Sequence, residues 1–360
     1  MSEALELGRP GLAGVPVAEA PAEAKDFKTD QEVRWCPGCG DYAVLAAVQG
    51  FMPSLGVRRE NIVIISGIGC SSRFPYYLNT FGMHSIHGRA PAIATGLAAS
   101  RPDLSVWVVT GDGDALSIGG NHLMHALRRN VNVNILLFNN RIYGLTKGQY
   151  SPTSELGKRT KSTPVGSLDF PINPISLALG SEASFVARSI DSDRKHLTSV
   201  LEAAARHRGA SLVEIYQNCN IYNDDAFELL KSPDTRDDWT IALQAGQPLR
   251  FGRDGAKAVV RDPATGALRI VEHVADDDPS VVVHDPTQHD PSYAFALSRL
   301  ADEAAQDGSG DLRYTPIGVF RDIDRPAYDD LMRAQVSQAQ QQKSPDLDAL
   351  LRGPDTWSVA

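Results

Sequence analysis

"GDGDALSIGG", residues 111–120, follows the apolar run Leu104-Ser105-Val106-Trp107-Val108-Val109 and sets two aspartates among glycines. A glycine-rich turn after a strand ordinarily holds a phosphate, because backbone N–H groups and the next helix N-terminus favour anions. Carboxylates there oppose that use. The segment is not a P-loop, since no Gly-Lys-Ser/Thr follows. It is also a poor dinucleotide fingerprint, because Gly111 and Gly113 lack a third glycine at the expected offset. A cation resolves the conflict. Magnesium lets a carboxylate share a site with a diphosphate, taking a few hard oxygen ligands from the protein and the rest from phosphate and water. Asp112 offers a carboxylate after one strand, Asn140 an amide oxygen after the next, and Ile142 a carbonyl. Gly111 and Gly113 let the backbone approach the diphosphate.

Outward from this turn, the chain alternates strands and helices. IVIIS (62–66), Leu104–Val109, VNVNILLF (131–138), Phe185–Arg188 and SLVEIY (211–216) read as strands, several of them continuous apolar runs of the kind buried on both faces. Asp41–Met52, Ala90–Ala99 and Leu116–Arg129 read as helices, and Asp191 is placed to cap another that runs to about Arg206. The expected fold class is α/β, a parallel sheet with helices on both faces. Such sheets bind ligands at the carboxyl ends of their strands, near a switch point. Cys70, Asp112, Asn140 and Cys219 each come directly after a strand, so all four can share one rim.

Three regions are expected. Residues 1–27, rich in Ala, Pro, Glu and Gly, read as a flexible or loosely docked tail; 28–234 carry the α/β domain; 235–360 read as a smaller α+β appendage. Within the last, AKAVVR and ALRIVE flank the turn Asp262–Gly266 as a hairpin, followed by a helix near Tyr293–Ala305, the stretch PIGVFRD and a Gln-rich helix from Tyr328. The chain has 360 residues, 42% apolar, with a net charge of −9, which argues against broad nucleic-acid binding. No window of about 18 apolar residues exists to span a membrane. The start has no secretory pattern, and a cytoplasmic location is expected.

The four cysteines admit three readings. Cys36-Pro37-Gly38-Cys39 beside Trp35 looks like a thioredoxin-type pair, though no buried strand precedes it. Structural zinc usually shows two such knuckles, and here Cys70 and Cys219 stand alone. A [4Fe-4S] cluster takes four thiolates, and four are present.

The spacing from Gly111-Asp112-Gly113 to Asn139-Asn140 resembles the thiamine diphosphate motif. WCPGCGDY, GIGCSSR, HGRAPAIATG, GDGDALSIGGNHLMHALRRN, NNRIYGLTKGQYSPTS and GKRTKSTP extend the likeness, so that Trp35 to Phe227 resembles the β subunit of the 2-oxoacid:ferredoxin oxidoreductases, most like the 2-oxoglutarate type. That resemblance implies coenzyme A-dependent oxidative decarboxylation of a 2-oxo acid, with electrons passing through the cluster to ferredoxin. Cys36, Cys39, Cys70 and Cys219 would ligate the [4Fe-4S] cluster. Asp112, Asn140 and the Ile142 carbonyl would hold Mg2+. Gly111, Gly113, Asp114, Gly144 and Leu145 would line the diphosphate. Ile68, Gly69, Cys70, Ser71 and His87, Gly88, Arg89, Ala90 would contact thiamine diphosphate from neighbouring loops. Asp114 has a second reading, as cap of the helix near Leu116.

His87, Arg89 and Lys147 are the candidate catalytic side chains: His87 to position cofactor or substrate, Lys147 to pair with the substrate carboxylate. The histidine pair His122 and His125 reads as part of a helix face that packs or meets solvent. Lys158, Arg159 and Lys161 form a basic run that would meet coenzyme A phosphates or an acidic ferredoxin, or simply face water. Thiamine catalysis also needs a glutamate against the aminopyrimidine, and the sequence offers no second domain to carry it. The resemblance places it in an α subunit, two α and two β chains forming the enzyme. Alternatives are the same chemistry on pyruvate or another 2-oxo acid, a non-redox thiamine decarboxylase, or a non-catalytic iron–sulfur subunit.

Overall fold

The computed structural model describes residues 9–304, 312–342, 345–357 and 359. Its strands are β1 (Ile62–Ser66), β2 (Phe81–His84), β3 (Ser105–Gly111), β4 (Val133–Asn139), β5 (Phe185–Ile190), β6 (Ala210–Tyr216), β7 (Thr240–Leu243), β8 (Arg250–Phe251), β9 (Lys257–Arg261), β10 (Leu268–Glu272) and β11 (Thr315–Asp322). The main sheet runs β2-β1-β3-β4-β6-β5-β11-β7. From β2 to β5 every pairing is parallel; β11 lies antiparallel to β5 and parallel to β7. Apolar side chains on both faces explain the central strands. All seven residues of β6 and the first six of β3 are buried. One core packs Val106, Val108 and Ile135 under helix Ala90–Ser100, and the other packs Trp107, Val109 and Leu136 under helix Asp41–Phe51.

The expected strands all form, and the α/β architecture is as read. β2 had no sequence signal because its four residues are exposed at the sheet edge. Helix Leu116–Arg129 is two helices, Asp112–Leu116 and Gly120–Arg129, broken at Ser117. The break lets the 87–88 loop descend: a β-carbon on Gly119 would lie 2.4 Å from the Asp114 carbonyl oxygen and 3.0 Å from Gly88 Cα. The cap of helix Arg194–Arg206 is Asp193, not Asp191; Asp193 accepts from the His196 N–H at 2.9 Å. Asp191 instead accepts from the Asn218 N–H at 2.8 Å, close to the cysteine loops.

The described part of the expected loose tail is docked. Leu12, Val15 and Phe27 are buried, and Val17 pairs with Val57. Residues 1–8 lie outside the described residues. Beyond residue 234 the hairpin of β9 and β10 forms as expected, with β8 completing a small antiparallel sheet. β7 and β11 extend the main sheet, so the C-terminal region is fastened to it by backbone hydrogen bonds. The helix expected near Tyr293–Ala305 spans Ser292–Ala304, residue 305 lying outside the described set; PIGVFRD lies in β11, and the Gln-rich helix spans Tyr328–Gln342. Among the described residues no helix is long and apolar enough to cross a membrane.

Candidate functional site

Cys70, Asp112, Asn140 and Cys219 follow β1, β3, β4 and β6, which are consecutive neighbours in the sheet. They therefore line one rim, where parallel sheets bind ligands. A cavity of about 540 Å³ opens there, bounded by the loops 68–71, 111–114 and 140–146 together with His87. Of the residues read from sequence, Ile68, Gly69, Cys70, Ser71 and His87 form one side. Gly111 to Asp114, Asn140, Ile142, Gly144 and Leu145 form the other. Gly88, Arg89 and Ala90 sit behind His87, Ala90 beginning the helix to Ser100. Arg89 reaches the carbonyl of His87 at 3.4 Å. Lys147 is exposed and lines a separate groove of about 430 Å³ with Arg159, Lys161 and Tyr222.

Asp112 is buried, and its Oδ2 accepts hydrogen bonds from Ser151 Oγ at 2.5 Å and Thr153 Oγ1 at 2.6 Å. Burial pushes its carboxyl up to about 6, against the pull of those hydroxyls. Hydroxyls orient the charge without neutralising it, so the carboxylate suits a cation. The Asn140 amide donates to Gln217 Oε1 at 3.0 Å, and its Oδ1 accepts from the Ile142 N–H at 3.1 Å. That oxygen keeps a lone pair for a second partner. Behind them Asn139 donates to Glu214 at 2.7 Å, and Glu214 is held by Arg188 at 2.7 Å, all three buried. Gly69 lines the cavity with φ +135°, where an added β-carbon would meet nothing within 4 Å. Glycine leaves this point of the cavity wall without a side chain.

Asp114, read as a cofactor contact or a helix cap, lines the cavity and also joins loops. It accepts from the backbone N–H groups of Ile68 and Gly88, from His87 Nδ1 and from Thr110 Oγ1. The adjacent short helix has Gly111 at its cap position and no side-chain cap.

The four cysteines are free thiols brought together by three loops. Trp35 Nε1 donates to the Cys70 carbonyl at 2.7 Å, Asn220 Nδ2 to the Pro37 carbonyl at 2.7 Å, and the Gly40 N–H to the Asn218 carbonyl at 3.0 Å. A β-carbon on Gly144 would lie 3.4 Å from Cys70 Sγ and 3.7 Å from Cys219 Sγ. Burial, with the nearby Asp41, raises the Cys39 and Cys70 thiols well above the ordinary range; Cys219 acts on both and Cys36 on Cys70. Among the described residues no three His, Cys, Asp or Glu side chains gather closely enough to clasp one metal ion. A [4Fe-4S] cluster takes four thiolates, and these loops carry four thiols. The sequence reading missed Ser151, Thr153 and Gln217. The hydroxyls of YSPTS were the available signal for the first two.

The profile described as "Thiamine pyrophosphate enzyme, C-terminal TPP binding domain" matches residues 67–215. The 2-oxoglutarate oxidoreductase subunit KorB of Mycobacterium tuberculosis is 61% identical over 350 residues, 96% of this chain and 91% of that protein. The β subunit of 2-oxoacid:ferredoxin oxidoreductase 1 of Aeropyrum pernix is 46% identical over 198 residues, 55% of this chain and 62% of the relative. A solved 2-oxoglutarate:ferredoxin oxidoreductase from Magnetococcus marinus, with 2-oxoglutarate, coenzyme A and succinyl-CoA bound, superposes with a TM-score of 0.71 at 31% identity, covering 94% of this chain and 97% of that one. The rim of loops, the domain they belong to and these likenesses agree: the chain belongs to the family of 2-oxoacid:ferredoxin oxidoreductase β subunits.

Proposed function

We propose that this chain is the β subunit of a cytoplasmic 2-oxoglutarate:ferredoxin oxidoreductase. The reaction turns 2-oxoglutarate and coenzyme A into succinyl-CoA and carbon dioxide, and ferredoxin takes the electrons. One observation carries this reading. Gly144 lies against Cys70 Sγ and Cys219 Sγ, and both Gly144 and Cys70 line the cavity that holds Asp112 and Asn140. The thiols that would carry electrons and the cavity that would take a diphosphate therefore share a wall.

Asp112, Asn140 and the Ile142 carbonyl would hold Mg2+, with Ser151 and Thr153 fixing the Asp112 carboxylate. Gly111, Gly113, Gly144 and Leu145 would border the diphosphate. Bound thiamine diphosphate supplies a carbanion and an electron sink for decarboxylation. Cys36, Cys39, Cys70 and Cys219 would hold the [4Fe-4S] cluster that carries electrons out singly. Arg89 would steady the His87 loop from below; Lys147, next to the cavity-lining Thr146 but itself lining the neighbouring groove, would have to turn inward to pair with a substrate carboxylate. Ile68, Ile86, Ile118 and Leu145 are exposed apolar side chains on loops at or beside this cavity. Water is a poor cover for them, and an α subunit supplying the missing glutamate would close the site in a complex of two α and two β chains.

The test is anaerobic assembly with the α subunit, followed by ferredoxin reduction with each 2-oxo acid in turn. Reduction should require both subunits and coenzyme A and should proceed best with 2-oxoglutarate. Turnover by the lone chain, or a preference for pyruvate, contradicts the proposal.

A further inference from the structure

The magnesium site has no use for Asp114, the second carboxylate of the glycine-rich turn. Its Oδ1 accepts from the N–H of Ile68 at 3.1 Å, the N–H of Gly88 at 2.7 Å and His87 Nδ1 at 2.6 Å. Its Oδ2 accepts from Thr110 Oγ1 at 2.6 Å. The group is 2% exposed and knots three segments together: the loop after β1, the 87–88 loop and the end of β3. The packing is tight, since a β-carbon on Gly67 would fall 1.9 Å from Asp114 Oδ2. A carboxylate accepts and does not donate, so the bond to His87 places the ring hydrogen on Nδ1. Nε2 is then the bare nitrogen, on a ring that lines the cavity and is 38% exposed.

We propose that Asp114 is a positioning residue that locks His87 in the Nδ1–H tautomer, and that His87 Nε2 takes the thiol proton of coenzyme A during acyl transfer. The inference rests on the activity proposed above. In that reaction a 2-oxo acid, a thiol and two oxidised ferredoxins give a thioester, carbon dioxide, two reduced ferredoxins and one proton. The S–H bond breaks and the sulfur keeps the electron pair, which forms the new C–S bond. The proton passes to Nε2. Asp114 stabilises the resulting imidazolium, as a carboxylate behind a catalytic imidazole does.

Imidazole-nitrogen NMR of the 15N-labelled full chain, with His87 assigned by its disappearance in His87→Gln, reads the tautomer without any turnover. A single Nδ1–H form is expected. An Nε2–H form or an averaged mixture overturns the proposal, whether or not the enzyme proves active. Asp114→Asn keeps an oxygen for the backbone donors but removes the charge. It should mix the tautomers and slow the coenzyme A-dependent step in the assembled enzyme by roughly tenfold to hundredfold. Carbon dioxide release without coenzyme A should fall less than the coenzyme A-dependent step. Equal slowing of both steps, or an unchanged tautomer, contradicts the inference. If Asp114→Asn does not fold, the tautomer in the parent chain still decides. Failure of the parent enzyme to use 2-oxoglutarate would instead overturn the activity, leaving the tautomer result intact.

Discussion

Thr153 Oγ1 and Asp112 Oδ2 meet at 2.6 Å although 41 residues separate them. The loop that returns Thr153 to the rim thus orients the carboxylate proposed for Mg2+. Thr153→Val keeps the shape and removes the donor. Hydrogen bonds to charged groups are worth about 1.5–3 kcal/mol, so Mg2+-dependent thiamine diphosphate affinity should fall by roughly tenfold to hundredfold. Calorimetric titration measures this, and unchanged affinity would detach Thr153 from the site.

Gly113 packs beneath Tyr143, whose hydroxyl donates to the Gly113 carbonyl at 3.0 Å. A β-carbon there would lie 2.1 Å from Tyr143 Cε1, whereas one on Gly120 would meet nothing within 4 Å. Gly113→Ala should cost about 1–3 kcal/mol through overpacking and also weaken cofactor binding. Gly120→Ala should be neutral or slightly stabilising. Denaturant midpoints of the two variants make the comparison, and equal midpoints would contradict the packing account.

His284 ties the C-terminal region to the main sheet. Its Nε2 donates to the Val319 carbonyl at 2.8 Å and its Nδ1 accepts from the Tyr293 hydroxyl at 2.9 Å. Burial lowers its pKa below the ordinary 6.5. The unfolded chain therefore binds a proton that the folded chain refuses, and the stability contribution, full above that value, is lost as pH falls through it. Urea midpoints at pH about 7.5 and about 5.5 should differ more for the parent than for His284→Gln. Identical differences would remove His284 from the acid sensitivity.

The rim was legible because each anchor residue directly follows a buried apolar run: Cys70 after β1, Asp112 after β3, Asn140 after β4 and Cys219 after β6. Such runs state their strands locally, and parallel connection then fixes which ends face the ligand. What stayed hidden depends on contacts between distant segments. Ser151 and Thr153 lie in irregular chain, where no periodicity says which way a hydroxyl turns. The role of Asp114 depends on His87, 27 residues earlier in sequence. Inclusion of β11 in the main sheet is a long-range pairing with β5 and β7 that neither strand announces. Asp193 rather than Asp191 caps its helix because Asp191 is drawn to the Asn218 N–H beside the cysteine loops.

The central claim is that one sheet edge seats a diphosphate cofactor against an iron–sulfur cluster. Magnetic resonance of the anaerobically purified, reduced protein measures this directly, before and after addition of Mg2+ and thiamine diphosphate. The account predicts about four iron and four sulfide per chain and a [4Fe-4S] signal, lost in Cys219→Ser, that shifts when the cofactor binds. A zinc-loaded, signal-free chain, or a cluster signal indifferent to the cofactor, would contradict it.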